Sequence, residues 1–158
     1  MIFLGLAAAL FAADYFVKKF MDAHFPQGTR REILGGKIIL QNLHNPHGVL
    51  GLFKGREELG EALSFGALLS VCWDFIRLLF SKGRKLEKLG VGMAFGGGCS
   101  NLYERETKGY VTDYFSFGVK NQKLKKIVFN LSDLFIFLGA FFYLAGQVLS
   151  LCREEKKR

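Results

Sequence analysis

The sequence predicts a single membrane domain, residues 1–158, of the all-α class: four transmembrane helices with a small extracytoplasmic β-structure and a short interfacial element. Composition is the first observation behind this prediction, since 50% of the residues are hydrophobic, the mean hydropathy is positive and only two residues are prolines. The second is that four stretches approach the roughly 20 apolar residues that a spanning helix needs. A soluble bundle with buried helices is the alternative, because an apolar run alone does not distinguish the two.

Four helical spans contain most of the apolar residues, and they are predicted at residues 2–20, 59–80, 86–103 and 128–152. The first is expected to be retained as a helix, because it lacks the basic start and the cleavage site of a signal peptide. The second opens with acidic residues, which favour the positive end of the helix dipole. The third is rich in glycine, and its Gly92 and Gly96 form a small-xxx-small pair that predicts close packing against a neighbouring helix.

Basic residues predict the orientation of these spans. The link SKGRKLEK (residues 81–88) and the C-terminal tail CREEKKR each contain four Lys or Arg residues, which the positive-inside rule assigns to the cytoplasm. Both termini are then cytoplasmic, and segments 21–58 and 104–127 lie outside. The net charge of +8 is spread over loops and the tail, which favours contact with anionic lipid headgroups over nucleic-acid binding.

The first outer segment contains the predicted β-structure. Its stretch GGKIILQNLHNPHGVLGLF combines the β-branched Ile38 and Ile39 with a turn at Asn45–Pro46 and a glycine-punctuated apolar strip that ends at Phe53. In the second outer segment, GYVTDYFSF is a short alternating strip that contains Asp113.

Polar side chains in and beside the spans are predicted to meet at the outer surface: Asp14, Asn101, Arg105, Asp113, Asn130 and Asp133. A carboxylate at membrane depth needs a partner or a task, because it is costly to bury alone. Asp14 and Lys18 are one helical turn apart and can pair, in the simplest interpretation as an interfacial pair that extends toward water. The three cysteines fall in predicted spans without metal-ligand spacing, so packing is their expected role.

Asp113 and Asp133 suggest acid–base chemistry. Two carboxylates that share a site titrate as a pair, because like charges close together cannot both ionise cheaply. One protonated and one ionised carboxyl group can activate a water and protonate a leaving amine, as in aspartic proteases. Spacing alone leaves ion or proton handling and structural pairing as alternatives.

Five blocks of the sequence resemble those of the lipoprotein signal peptidase family, the type II signal peptidases. In order, they are Asp14-x-x-x-Lys18, the strip at Asn45, GGGCSNLYER, GYVTDYFSF and FNLSD. The family's blocks read approximately D-x-x-x-K, N-x-G-x-A-F, G-G-x-x-G-N-x-x-D-R, G-x-V-x-D-F and F-N-x-A-D. The resemblance extends over nearly the whole chain and includes the four spans and the short basic link.

The resemblance implies a membrane aspartic endopeptidase in the bacterial cytoplasmic (inner) membrane, with its active site at the extracytoplasmic face. Such an enzyme removes the signal peptide of a lipid-modified prolipoprotein by cleaving before the diacylglyceryl-modified cysteine. The resemblance also implies membrane lipids as partners, inhibition by cyclic-peptide antibiotics of the globomycin type, and neither a metal nor a cofactor.

Site residues follow from the same resemblance by motif position. Asp113 and Asp133 correspond to the catalytic pair. Residues that bind or orient the substrate are expected at Asn130, Asn101, Arg105, Asp14, Lys18 and Asn45.

Several residues depart from the family blocks and indicate a divergent member. Glu104 stands where the family has aspartate, Ser100 where it has glycine and Ser132 where it has alanine. His47 replaces a glycine in the strip after Asn45. A non-catalytic paralogue that binds lipoprotein or lipid is the alternative function. A small transporter is disfavoured, because the polar groups cluster at one face and no internal repeat is visible.

Overall fold

Four long helices and a three-stranded sheet form the fold in the computed structural model, which describes residues 1–46 and 55–156. The long helices are α1 (Ile2–His24), α2 (Glu57–Leu79), α3 (Lys85–Lys108) and α5 (Leu131–Glu155), and a single turn, α4 (Gln122–Lys125), precedes α5. The strands are β1 (Arg30–Ile33), β2 (Ile38–Asn45) and β3 (Val111–Phe117). The predicted combination of a mainly helical chain with a small β-structure is confirmed. The strip from His47 to Phe53 lies outside the described residues.

Helix α3 is central, because it packs against α1, α2 and α5. Glycines on its surface let other backbones approach closely. A Cβ atom at Gly96 would lie 2.5 Å from the carbonyl oxygen of Ala7 on α1, and one at Gly90 would collide with the backbone nitrogen of Tyr143 on α5. The close packing predicted for this glycine-rich helix is confirmed, and it brings polar side chains of three helices within hydrogen-bonding distance.

The sheet has β2 at its centre, paired antiparallel with β1 and β3. The pairing with β3 places Asn45 opposite Val111, and its register shifts between Leu40 and Leu43. Every residue of β3 from Val111 to Ser116 is buried, so the strand is covered on both faces. Helices α1 and α3 contact one face of the strand through Asp14 and Glu104, and the segment that leads into α5 pairs with the edge of β3 that does not face β2, where the backbone N–H of Phe129 donates to Phe115.

Two of the long helices, at Glu58–Leu79 and Leu131–Arg153, are long and apolar enough to cross a membrane by themselves within the described part of the chain. Both expose large apolar side chains, such as Trp73 and Phe141. Helix α1 is apolar but contains the charged residues Asp14, Lys18 and Lys19, and α3 is rich in glycine and charged residues. Each predicted span corresponds to one long helix. However, α3 continues to Lys108, and α5 begins later than predicted because the residues before it pair with β3.

Substituting Gly96 with alanine should destabilise the fold. The added Cβ would meet backbone atoms of Ala7, which cannot move aside as a side chain can, so we expect a loss of about 1–3 kcal/mol in the free energy of unfolding. Thermal unfolding in detergent measures the effect. Gly5→Ala is the matched control, since no atom lies within 4 Å of its added Cβ. Equal melting temperatures for the two variants would contradict the close contact between α1 and α3.

Candidate active site

A cavity of about 500 Å³ lies between α2, α3, α5 and β3. One end is polar, and its walls include six of the eight predicted site residues: Asn45, Asn101, Arg105, Asp113, Asn130 and Asp133. The other end is apolar and is lined by Leu68, Val71, Ala94, Ile136 and Phe137. The remaining two predicted residues, Asp14 and Lys18, lie behind the polar wall. The cavity therefore joins a carboxylate pair to an apolar compartment.

Asp113 is held by two side-chain amides. The Nδ2 atom of Asn45 donates to its Oδ2 at 2.9 Å, and the Nδ2 atom of Asn130 donates to its Oδ1 at 2.8 Å. Asn45 can reach the carboxyl group because β2 pairs with β3 in the register that places its side chain beside Asp113. Asn45 and Asn130 thus both contact Asp113. Their roles in chemistry stay predictions.

Asp133 is fixed by the start of α5. The side-chain Oδ1 of Asn130 accepts from the Asp133 backbone N–H at 2.9 Å, and the Asp133 Oδ2 accepts from the Asn130 backbone N–H at 3.1 Å. This reciprocal pair is a capping box, in which residues three apart satisfy each other's free helix-end donors. Asn101 on α3 donates to the other carboxylate oxygen at 3.1 Å. One side chain, Asn130, thus contacts both aspartates.

Lys18 sets the orientation of Asn101. Its ammonium group donates to the Oδ1 of Asn101 at 2.6 Å, so the amide nitrogen of Asn101 must face Asp133. The same ammonium contacts Asp14 at 2.8 Å and Glu104 at 3.3 Å. We call Asp14, Lys18 and Glu104 the buried ion cluster, because their exposed fractions are 0%, 2% and 4%. The interpretation of Asp14 and Lys18 as an interfacial pair extending toward water is therefore wrong.

Asp14 has further partners that spacing along one helix could not reveal. The hydroxyls of Ser100 on α3 and Ser132 on α5 donate to its Oδ2 at 2.7 and 2.6 Å, and the Tyr114 hydroxyl donates to its Oδ1 at 3.0 Å. Tyr114 in turn accepts from the backbone N–H of Leu131 at 2.9 Å. Three elements besides α1 converge on this one carboxylate, so burial is possible without an unpaired charge.

The environment of Asp113 favours its protonated form. Burial, and next the nearby charge of Asp133, raise the pKa of Asp113 to about 7. The hydrogen bonds from Asn45 and Asn130 favour its ionised form and oppose this rise. Near neutral pH, Asp113 is therefore able to hold a proton, which a carboxyl group needs in order to act as a general acid.

Sequence reasoning missed residues at both sides of this site. Thr112 and Tyr114 flank Asp113 and bind the buried ion cluster. Side chains alternate along a strand, so these two residues point to the face opposite Asp113, and this alternation is the signal that could have identified them. Glu61 and Ser64 line the cavity on α2, and nothing in their spacing marks them. Arg105 lines the cavity as predicted. Among the described residues, no three His, Cys, Asp or Glu side chains are grouped so that they could hold a metal ion.

Comparisons with known proteins agree over nearly the whole chain. A family model described as signal peptidase (SPase) II matches residues 6–149. A lipoprotein signal peptidase of Lactiplantibacillus plantarum is 28% identical over 145 residues, which cover 92% of this chain and 93% of that protein. One from Trichormus variabilis is 30% identical over 138 residues, or 87% and 84% of the two chains. In fold, a bacterial membrane enzyme solved by the in meso method at 2.3 Å resolution matches with a TM-score of 0.77 and 14% identity, covering 99% of this chain and 91% of its own.

Replacing Lys18 with methionine should destabilise the protein strongly. The variant keeps a long side chain but leaves Asp14 and Glu104 without the cation that they share, so we expect a loss of about 3–5 kcal/mol in the free energy of unfolding. Lys19→Met, at the exposed neighbouring position, is the matched control and should change it by less than about 0.5 kcal/mol. Denaturant unfolding in detergent compares the two. Similar losses in both variants would show that the buried ion cluster does not stabilise the fold.

Proposed function

Because the chain belongs to the signal peptidase II family, we propose that it removes the signal peptide from lipid-modified prolipoproteins, with Asp113 and Asp133 as an aspartic catalytic pair. The enzyme would cleave before the diacylglyceryl-modified cysteine. The observation that supports this proposal best is the pair itself: Asn130 donates its side-chain amide to the Asp113 carboxyl group and its backbone N–H to the Asp133 carboxyl group, at the polar end of an otherwise apolar cavity.

The proposed reaction needs one ionised and one protonated carboxyl group. Asp133 takes a proton from a water molecule whose oxygen bonds to the scissile carbonyl carbon, while Asp113 gives its proton to the carbonyl oxygen. When the carbon–nitrogen bond breaks, the leaving nitrogen takes the proton from Asp133, and the hydroxyl of the intermediate returns a proton to Asp113. The raised pKa of Asp113 supports its part as the acid.

The cavity has the chemistry that this substrate requires. Its apolar end can accept the apolar segment of a signal peptide, and its polar end would then receive the scissile bond beside the carboxyl pair. Arg105, Asn101 and Asn45 lie on the polar wall, where they can bind the peptide backbone. Cyclic-peptide antibiotics of the globomycin type are proposed to inhibit by occupying the same cavity. The alternative of a non-catalytic paralogue is not favoured, since both aspartates are present and supported by amides.

The proposed topology has four spans, with both termini in the cytoplasm and the site at the extracytoplasmic face of the bacterial inner membrane. The basic link 81–88 joins the ends of α2 and α3 that are remote from the sheet. Asp133 lies in the first turn of α5, so its carboxyl group would lie near the membrane surface, where water for hydrolysis is available. Lipids would contact the apolar faces of α2 and α5.

Replacing either aspartate with asparagine should abolish cleavage. Neither Asp113→Asn nor Asp133→Asn can supply both the acid and the base, so we expect cleavage of a lipidated prolipoprotein peptide by the purified protein to fall by about 100-fold or more. Asp74→Asn is the matched control, because Asp74 pairs with Arg77 at 3.0 Å and does not line the cavity. Full activity of either cavity variant would eliminate the proposed mechanism.

The pH dependence of cleavage should report Asp113. Its raised pKa means that it is protonated below about pH 7 and loses the proton above it, so kcat/KM should fall as the pH rises through that value. Asn45→Ala removes a hydrogen bond that favours the ionised form, and it should move this decline to higher pH. A pH profile that stays flat across neutrality, or one that shifts to lower pH in the variant, would contradict the assignment of Asp113 as the acid.

A further inference from the structure

The carboxylate of Glu104 binds the residue that precedes Asp113. Glu104 lies near the end of α3 and is 4% exposed. Its Oε2 accepts from the backbone N–H of Thr112 at 2.8 Å, and its Oε1 accepts from the Thr112 hydroxyl at 2.7 Å. One side chain therefore fixes both the backbone and the side chain of Thr112, which is itself 0% exposed.

The residue that follows Asp113 is fixed from the same side. Tyr114 donates to Asp14 at 3.0 Å and accepts from the start of α5 at 2.9 Å. Side chains alternate along a strand, so Thr112 and Tyr114 point to one face of β3 and Asp113 points to the other. Holding both neighbours on one face therefore fixes the direction of the Asp113 side chain on the opposite face.

Two cations accompany Glu104. The ammonium groups of Lys18 and Lys108 lie 3.3 and 2.8 Å from its carboxylate oxygens, and hydrogen bonds to an ionised acceptor are about twice as strong as neutral ones. The family block resembled by this stretch has aspartate at this position. A side chain one carbon shorter would reach about 1.5 Å less far, which is too short to keep the contacts with both Thr112 and Lys18.

We propose that Glu104 is a positioning residue for the cleavage reaction, which sets the place of the Asp113 carboxyl group relative to Asp133 by binding Thr112. This inference rests on the proposed peptidase function. It goes beyond it because Glu104 is not one of the described residues that line the cavity, so it has no direct contact with a substrate there. Its loss should therefore lower kcat and leave KM nearly unchanged.

A second buried carboxylate on the same helix provides the matched control. Glu87 is 2% exposed at the opposite end of α3, where it accepts from Ser150 at 2.7 Å and Arg84 at 3.2 Å. Glu104→Gln and Glu87→Gln should both lower the melting temperature, because each replaces a bound carboxylate by a neutral amide. Only Glu104→Gln should lower kcat for a lipidated prolipoprotein peptide, by about 100-fold, as misplacement of a reacting group by about 1 Å can do.

Substitutions at Thr112 test the inference without changing Glu104. Thr112→Val loses the hydroxyl hydrogen bond but keeps the backbone one, and its kcat should fall by about 10-fold, as expected for one hydrogen bond. Thr112→Ser keeps both and should retain the wild-type kcat. The inference is overturned if Glu104→Gln and Glu87→Gln lose kcat equally, or if Glu104→Gln and Thr112→Val cleave normally. Failure of the wild type to cleave would instead refute the proposed function, and this inference with it.

Discussion

The rest of the site depends on the contacts of one buried ammonium group, that of Lys18. Its three N–H bonds have three acceptors: Asp14 at 2.8 Å, Asn101 at 2.6 Å and Glu104 at 3.3 Å. A buried charge is costly unless it is paired and its hydrogen bonds are satisfied. Helices α1 and α3 must therefore pack in the arrangement that brings all three acceptors together, and the glycine contact at Gly96 makes that arrangement possible.

Neutral side chains separate this buried charge from the carboxyl pair. Lys18 contacts Asn101, which in turn contacts Asp133, and the charge of Lys18 influences the pKa of Asp113 less than burial, Asp133 or the amides of Asn45 and Asn130 do. Direct contact with an ammonium group would favour the ionised form of both aspartates. The side-chain amides of Asn101 and Asn130 hold Asp133 and Asp113 in place without adding a charge, so Asp113 can keep a proton near neutral pH. The buried ion cluster thus fixes the position of Asn101, and no cation contacts either carboxyl group of the pair among the described residues.

Composition and periodicity were sufficient for the helical fold and the small sheet, and the resemblance to the family blocks was also needed to find the polar residues around the cavity, Asn45 among them. The sequence could not reveal the depth of the Asp14–Lys18 pair. Helical spacing shows that the two residues can meet, but the hydroxyls of Ser100 and Ser132 that make burial possible belong to other helices. These serines and Glu104 are three of the departures from the family blocks. Both serines contact Asp14, and Glu104 contacts Lys18, which pairs with Asp14. Their common role is visible only in three dimensions.

The chemistry proposed for the carboxyl pair requires that Asp113 hold a proton near neutral pH beside Asp133. The most direct measurement is a titration of isotope-labelled aspartate side chains by NMR, with Asp113 identified from the Asp113→Asn variant. We expect Asp113 in the wild type to titrate near pH 7. Asp133→Asn should shift this titration to lower pH, because the nearby negative charge is removed. Ionisation of Asp113 near the ordinary aspartate value of about 4 in both proteins would show that Asp113 does not hold a proton at neutral pH and so cannot be the acid.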